Sequence, residues 1–328
     1  KAQMDLSELL PHLSKVVDDC TFVRSIHTDP INHDPAVTFF ASGHQQPGRP
    51  VMGAWLAYGL GSDNRDLPAF VVLVTKKPTD QPLYSRLWGS GFLDSRYQGV
   101  RFRNTGDPVP YLQNPPGVSR AARRMLLDDI NAINESHLAD YGDPEIDTRI
   151  SQYEMAFRMQ TSVPELADMS GESAATYELY GEEARTRGSF ASSALMARRL
   201  VERGVRFVQI FHRGWDQHVA ITKQLPNQCR DTDQPSAALI TDLKQRGLLE
   251  STVVQWTGEM GRLPVLQNDA GREKWGRDHN TFGFSQWVAG GGFKAGHVHG
   301  ETDEFGHKAV IDEVKHFDYH ATLLNLFG

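Results

Sequence analysis

The chain predicts an α/β fold, a three-layer α/β/α sandwich around a mainly parallel sheet, and two observations lead there. First, AFVVLVT (69–75) is a continuous apolar, β-branched run, the pattern of a strand buried on both faces. Second, SSALMARRLVERG leads into VRFVQIFH (205–212), and QPSAALITDLKQRG leads into TVVQWTG (252–258). The same order, helix, Gly stop and buried strand, thus occurs twice. Strands that alternate with helices build a parallel sheet covered on both sides.

Along the chain, LSELLPHLSKVVDDC (6–20) places apolar residues at helical spacing, and TFVRSI (21–26) follows as a short strand. PAVTFFASG (35–43) begins with Pro and ends in Gly, the asymmetry of a short helix. Residues 76–120 are rich in Pro, Gly and aromatics without a sustained period. They are expected to form an irregular insertion over the active edge of the sheet, because their Trp, Tyr and Phe need a surface to pack on. Residues 119–160 and 173–186 return to helical patterning, FSQWVAG (284–290) supplies a further strand, and HATLLNLFG (320–328) a closing helix. One domain over 1–328 is expected.

Composition narrows the function. With 39% hydrophobic and 23% charged residues the chain is of ordinary globular type, and no apolar run reaches the 18 residues of a membrane span. The 34 Lys+Arg against 41 Asp+Glu, a net charge of −7, leave no basic block for nucleic acid. Cys20 and Cys229 provide neither a disulfide framework nor a metal clip, although one long-range bridge stays open. The opening KAQMDLSELL lacks the pattern of an export signal.

Chemistry collects late in the chain, where eight of the 13 histidines follow residue 211. Ligands in open α/β sheets bind at the carboxyl ends of strands. One such end runs into His212, Arg213, Gly214, Trp215, Asp216, Gln217 and His218. Another runs into Gly258, Glu259, Met260, Gly261 and Arg262, and Gly276, Arg277, Asp278, His279 and Asn280 precede the strand at 284. Carboxylates and imidazoles converging from separate loops hold Zn²⁺, Mn²⁺ or Fe, whereas carboxylates alone favour Mg²⁺ or Ca²⁺. Asp216 and His218 point the same way only on an extended loop, since on a helix they diverge by about 200°. Gly290 to Ala295 matches G-x-G-x-x-A, but GHVHGETDEFGH after it is not helical, so no helix N-terminus receives a pyrophosphate. His-Glu-x-x-His, Walker and Gly-x-Ser-x-Gly motifs are all missing.

The order of segments resembles the alkaline phosphatase superfamily, in particular a bacterial family of sulfatase-like proteins of unknown function that are commonly exported. WVAGGGFKAGHVHGETD resembles the sulfatase strand followed by a Gly-Pro-Gly-like turn and Lys-x-Gly. VKHFDYHATLLNLFG resembles the next segment, with Asp before Pro-Thr-Leu-Leu. LKQRGLLESTVVQWTGEMGR is similar to the helix, strand and Asp-His metal pair, with Gly258-Glu259 where Asp-His is usual. His33-Asp34-Pro35 followed by Ser42-Gly43 has the spacing of the sulfatase nucleophile motif, Cys-x-Pro-Ser-Arg leading to Thr-Gly. The likeness covers about residues 20–75 and 200–328.

The resemblance implies a metal-dependent hydrolase of phosphate or sulfate esters. Asp216, His218, Glu259, Asp278 and His279 would hold a divalent metal, zinc first, with calcium, manganese or magnesium as alternatives. His33 would act as base or nucleophile, and Arg262 and Arg277 would balance an anionic ester, either a small molecule or a sulfated or phosphorylated glycan. His33 and Val37 stand where the sulfatase Cys and Arg would be, which excludes formylglycine chemistry. The superfamily's first strand would precede residue 1 and relatives continue past Gly328, so a fragment at both ends is expected, from a periplasmic or cell-surface protein. The rival expectation is a non-catalytic binder of carbohydrate through Trp88, Phe92 and Tyr97.

Overall fold

The computed structural model describes residues 4–75, 83–103 and 106–328. Where a first helix is expected, at 6–20, it has two single 3₁₀ turns, Leu13–Lys15 and Val17–Asp19. Pro11 removes a backbone donor there, and the buried Asp233 carboxylate accepts the N–H groups of His12 and Leu13 at 2.8 Å each. The helical spacing serves packing instead, because Leu6, Leu10, Leu13, Val16 and Val17 join one core with Ile240 and Leu243.

Strand Cys20–His27 (β1) leads to helices His33–Ser42 (α1) and Met52–Leu60 (α2). Gly43, at φ +74°, closes α1 by donating its N–H to the Phe39 carbonyl at 2.7 Å, a left-handed cap that glycine adopts without a Cβ clash. Strands Phe70–Val74 (β2) and Val100–Phe102 (β3) come next. β3 corrects the expectation that 76–120 is irregular throughout, although residues 76–82 and 104–105 lie outside the described residues.

Four helices follow, Arg120–Tyr141 (α3), Pro144–Ala167 (α4), Ala174–Tyr180 (α5) and Phe190–Glu202 (α6), and at each N-terminus Ser119, Asp143, Ser173 or Ser189 accepts a backbone N–H. Strand Phe207–Phe211 (β4), helix Ile221–Gln245 (α7) and strand Val254–Trp256 (β5) complete the second half of the repeat. The remaining strands are Gly261–Arg262 (β6), His279–Asn280 (β7), Phe284–Ala289 (β8), His297–His299 (β9), Glu301–Thr302 (β10), Ala309–Ile311 (β11) and Val314–Lys315 (β12). Helix His316–Phe327 (α8) ends the chain. Cys20 and Cys229 are both buried and free.

The result is a mixed α/β fold in which the expected parallel sheet is divided. β3, β2 and β4 form a three-stranded sheet, parallel throughout. β12, β1, β8 and β5 form a second sheet, with β9 also on β1. In that sheet β8 runs antiparallel to both β1 and β5. The reason lies in the connection from β5 to β8, where residues 257–283 carry short strands and a 3₁₀ turn but no α-helix. A parallel return needs a crossover element, and here the chain turns straight back.

Charge is also buried. Arg198 on α6 lies 2.6 Å from Glu172, 2.5 Å from Glu202 and 3.1 Å from Asp242, and Arg199 lies 2.5 Å from Glu172. The Tyr180 hydroxyl donates to Asp242 at 3.1 Å. Removing one partner of such a group strands a buried charge. Glu172→Ala is therefore expected to destabilise the fold by about 3–5 kcal/mol, read as a lower midpoint in urea unfolding, whereas exposed Glu182→Ala should change it by less than about 1 kcal/mol.

α8 docks on α1 through imidazoles, with the rings of His316 and His320 4.0 Å apart and His316 4.9 Å from both Phe39 and Phe40. Burial, reinforced by His320, pushes His316 down to about 3, and burial pushes His320 down to about 4. An unfolded histidine titrates near 6.5, so this pair contributes its full stability above that pH. The contribution is lost as the pH falls from about 6.5 toward these lowered values, because the unfolded chain then binds more protons. The melting temperature should accordingly drop between pH 7 and pH 4, and His316→Phe should flatten that slope.

Candidate metal centre

Three segments of the chain meet at the carboxyl ends of β4 and β5. His33 is the first residue of α1, Asp216 and His218 lie on the extended loop after β4, and His279 opens β7. The loop passes tightly beside Gly276, where an added Cβ would fall 1.9 Å from the His218 carbonyl oxygen, so the close approach admits only glycine.

One ligand atom from each of His33, Asp216, His218 and His279 lies within 4.8 Å of the others. His218 Nε2 is 2.8 Å from Asp216 Oδ1, His279 Nε2 is 3.3 Å from the same oxygen, and His33 Nε2 is 3.1 Å from Asp216 Oδ2. The opposite nitrogen of each ring is held from behind. His33 Nδ1 lies 2.5 Å from Glu259 Oε1, His218 Nδ1 2.7 Å from Gln267 Oε1, and His279 Nδ1 donates to the Ile31 carbonyl at 2.6 Å. Such outer partners set the tautomer of metal-ligating imidazoles.

The donor set fits a cation. With its Nδ1–H donated to the Ile31 carbonyl, His279 turns Nε2 toward His218 Nε2, 3.2 Å away, and Arg262 Nη1 lies 3.4 Å from the same His218 nitrogen. Two facing lone pairs repel unless a proton or cation stands between them. Three imidazoles and a carboxylate match the ligand preferences of Zn²⁺ and related ions. Asp216 is already anionic in character. Burial alone would raise its carboxyl, but the His33 imidazole and the Arg262 guanidinium outweigh burial and hold it well below the usual carboxylate range. In turn the Asp216 and Glu259 carboxylates push His33 up to about 9, against the opposing effect of burial.

The structure divides the residues singled out by sequence into two groups. Asp216, His218 and His279 come together, joined by His33, which the nucleophile-like spacing had placed in a different role. Glu259 stands one ring further out, behind His33. Asp278 accepts the backbone N–H of His279 at 2.8 Å and lies 3.9 Å from His218 Nδ1, the side already held by Gln267. Arg262 bonds Asp216 directly and donates to the carbonyls of Trp215 at 3.1 Å and Arg277 at 3.3 Å. Arg277 itself is exposed, and its N–H donates to the Gln217 carbonyl at 3.0 Å. Gln267 and the Ile31 carbonyl carried no signal in the sequence, because an isolated Gln and a backbone oxygen belong to no spacing pattern.

The family described as protein of unknown function DUF1501 matches residues 1–328. The chain belongs to that family. Among solved structures, a phosphonate monoester hydrolase from Silicibacter pomeroyi is similar at 12% identity and a TM-score of 0.39, over 97% of this chain and 68% of that one. No curated protein matches the chain. No helix among the described residues is long and apolar enough to cross a membrane.

Zinc titration of the purified protein against a chromogenic chelator tests the centre. His218→Ala and His279→Ala are expected to abolish measurable competition, Glu259→Gln to weaken it by about 10–100-fold, and Asp278→Asn to change it by no more than about threefold.

Proposed function

We propose that this member of the DUF1501 family is a metal-dependent hydrolase of phosphate or sulfate esters. One observation carries the reading: three imidazole nitrogens and a carboxylate oxygen face one point at the carboxyl ends of two strands, each imidazole braced on its far side. In this reading His33, Asp216, His218 and His279 hold the ion, zinc first, and Glu259 orients His33. A bound divalent ion supplies Lewis acidity and lowers the pKa of a coordinated water. Arg262 keeps Asp216 ionised and aimed, and the exposed guanidinium of Arg277 is free to meet the anionic group of an ester by forked hydrogen bonds. His33 lies between two carboxylates, which suits a ligand better than a nucleophile. The substrate class is a small anionic ester or a sulfated or phosphorylated glycan, and the full-length protein is proposed to act in the periplasm or at the cell surface.

A glycan-binding role has its own observation. Phe92 is 66% exposed and packs on Trp55, and half-buried Tyr97 packs edge-on against exposed Tyr58. Trp88 does not join this surface, since it turns into the core against Phe211.

The test is a panel of aryl phosphate, phosphodiester and sulfate substrates with zinc, manganese, calcium or magnesium added. Turnover that a chelator removes and zinc restores is expected, with kcat/KM about 100-fold lower for Arg262→Ala. If the metal-loaded protein turns over none of them while a glycan binds and Phe92→Ala weakens that binding, the hydrolase reading gives way to the binder.

A further inference from the structure

Of the 22 residues of α3 only Leu127 is buried. The inner side of the helix is held by α4. Arg124 donates to both Glu154 oxygens at 2.9 and 2.6 Å, Asn131 donates to one of them at 2.7 Å, and Arg120 donates to Thr161 at 2.6 Å while covering the Phe157 ring. The outer side faces solvent along its whole length. Most helical stability in proteins comes from packing a face against a neighbour, and α3 packs only one.

Residues four apart are neighbours on a helix and form a ridge along its surface. Met125, Asp129, Ile133, His137 and Tyr141 make one such ridge on the outer side, about 24 Å long. All five are exposed, the apolar members strongly so: Met125 68%, Ile133 58% and Tyr141 77%. Neither the Asp129 carboxylate nor the His137 imidazole has a hydrogen-bond or ion-pair partner among the described residues. His137 meets Tyr141 of its own helix edge-on at 6.0 Å. Small, exposed Ala132 and Ser136 border the ridge on one side and Leu126 on the other, so the grooves beside it are open to the ridge of a second helix.

We infer that the outer ridge of α3 is the contact of a homodimer, in which α3 packs antiparallel on α3 of a second copy about a twofold axis at Ile133. The order of the ridge, apolar, acid, apolar, imidazole, apolar, is complementary to its own reverse. Laid antiparallel, Met125 meets Tyr141, Asp129 accepts a hydrogen bond from His137, and Ile133 meets Ile133. A twofold contact needs a surface that is self-complementary in this way, whereas a different partner protein would not require it. The register is specified as well. A slip of four residues sets Asp129 against Ile133, and a slip of eight sets the two Asp129 carboxylates against each other, which disfavours both. An anionic membrane or a nucleic acid does not fit, because the ridge carries an aspartate and neither Lys nor Arg. The ridge contains no residue of the metal centre, so this inference stands apart from the hydrolase reading.

Sedimentation equilibrium of the protein tests it. A species of twice the chain mass is expected, dissociating on dilution because one pair of helices makes a small interface. Ile133→Asp places two carboxylates on the axis, and His137→Asp places an acid opposite Asp129. Each should raise the dissociation constant at least about tenfold without moving the urea midpoint, since both positions are exposed. Asp129→His combined with His137→Asp restores the complementary order and should recover the dimer. Cys20 and Cys229 are buried, so in Ile133→Cys the introduced thiol is the exposed one, and mild oxidation should join two chains through it. A protein that stays monomeric at every concentration overturns the inference. So does a dimer that Ile133→Asp leaves intact, a double variant that stays as weak as His137→Asp, or a dimer that the Ile133→Cys thiol fails to cross-link.

Discussion

The Asp216 carboxylate is the constraint on which the rest of the site depends. Its two oxygens touch His33, His218, His279 and Arg262, and these residues come from α1, the loop after β4, β7 and β6. Three segments beyond its own loop, α1, β6 and β7, are thereby tied to one acid in the loop after β4. The acid can serve so many partners because it stays ionised, which the His33 and Arg262 cations ensure against the cost of burial. A neutral side chain in its place would leave Arg262 without this carboxylate partner and Glu259 alone beside His33.

Around that acid the structure shows a graded arrangement. The inner ring is nitrogen and oxygen aimed inward, and the outer ring consists of acceptors: Glu259, Gln267 and the Ile31 carbonyl. The outer ring draws on the segment after β5, an irregular loop and the turn before α1, so the site's geometry depends on how those three regions pack together. Gly276 shows how tight that packing is, since the loop carrying His218 crosses it with no room for a Cβ. Fine positioning of this kind is what separates a set of polar residues from a ligand cage.

The scaffold beneath is less uniform than a single wound sheet. Parallel pairing appears where a helix carries the chain across, as α6 does before β4, and fails where none is available, as between β5 and β8. Both kinds of connection nonetheless deliver residues to one edge. The strand ends after β4 and β5 come from the regular part, and His279 reaches them from the short antiparallel pair of β6 with β7.

The sequence by itself determined the elements with strong local signatures and singled out three of the four residues that meet at the candidate centre. The β-branched run at 69–75, the Gly-terminated helix ending at Ser42, the helix before β4 and the polar clusters at 212–218 and 276–280 were all legible, because periodicity, caps and turn residues act over a few positions. The tertiary structure alone decided what those local rules do not reach. It turned 6–20 into 3₁₀ turns, since Asp233, more than two hundred positions away, accepts that segment's N–H groups. It reversed β8 because no crossover helix precedes it. It also moved Glu259 behind His33 and brought His33 itself to the centre, which depends on where α1 packs against the ends of β4 and β5. Ligand geometry is a property of distances between segments, and spacing along one chain does not encode them.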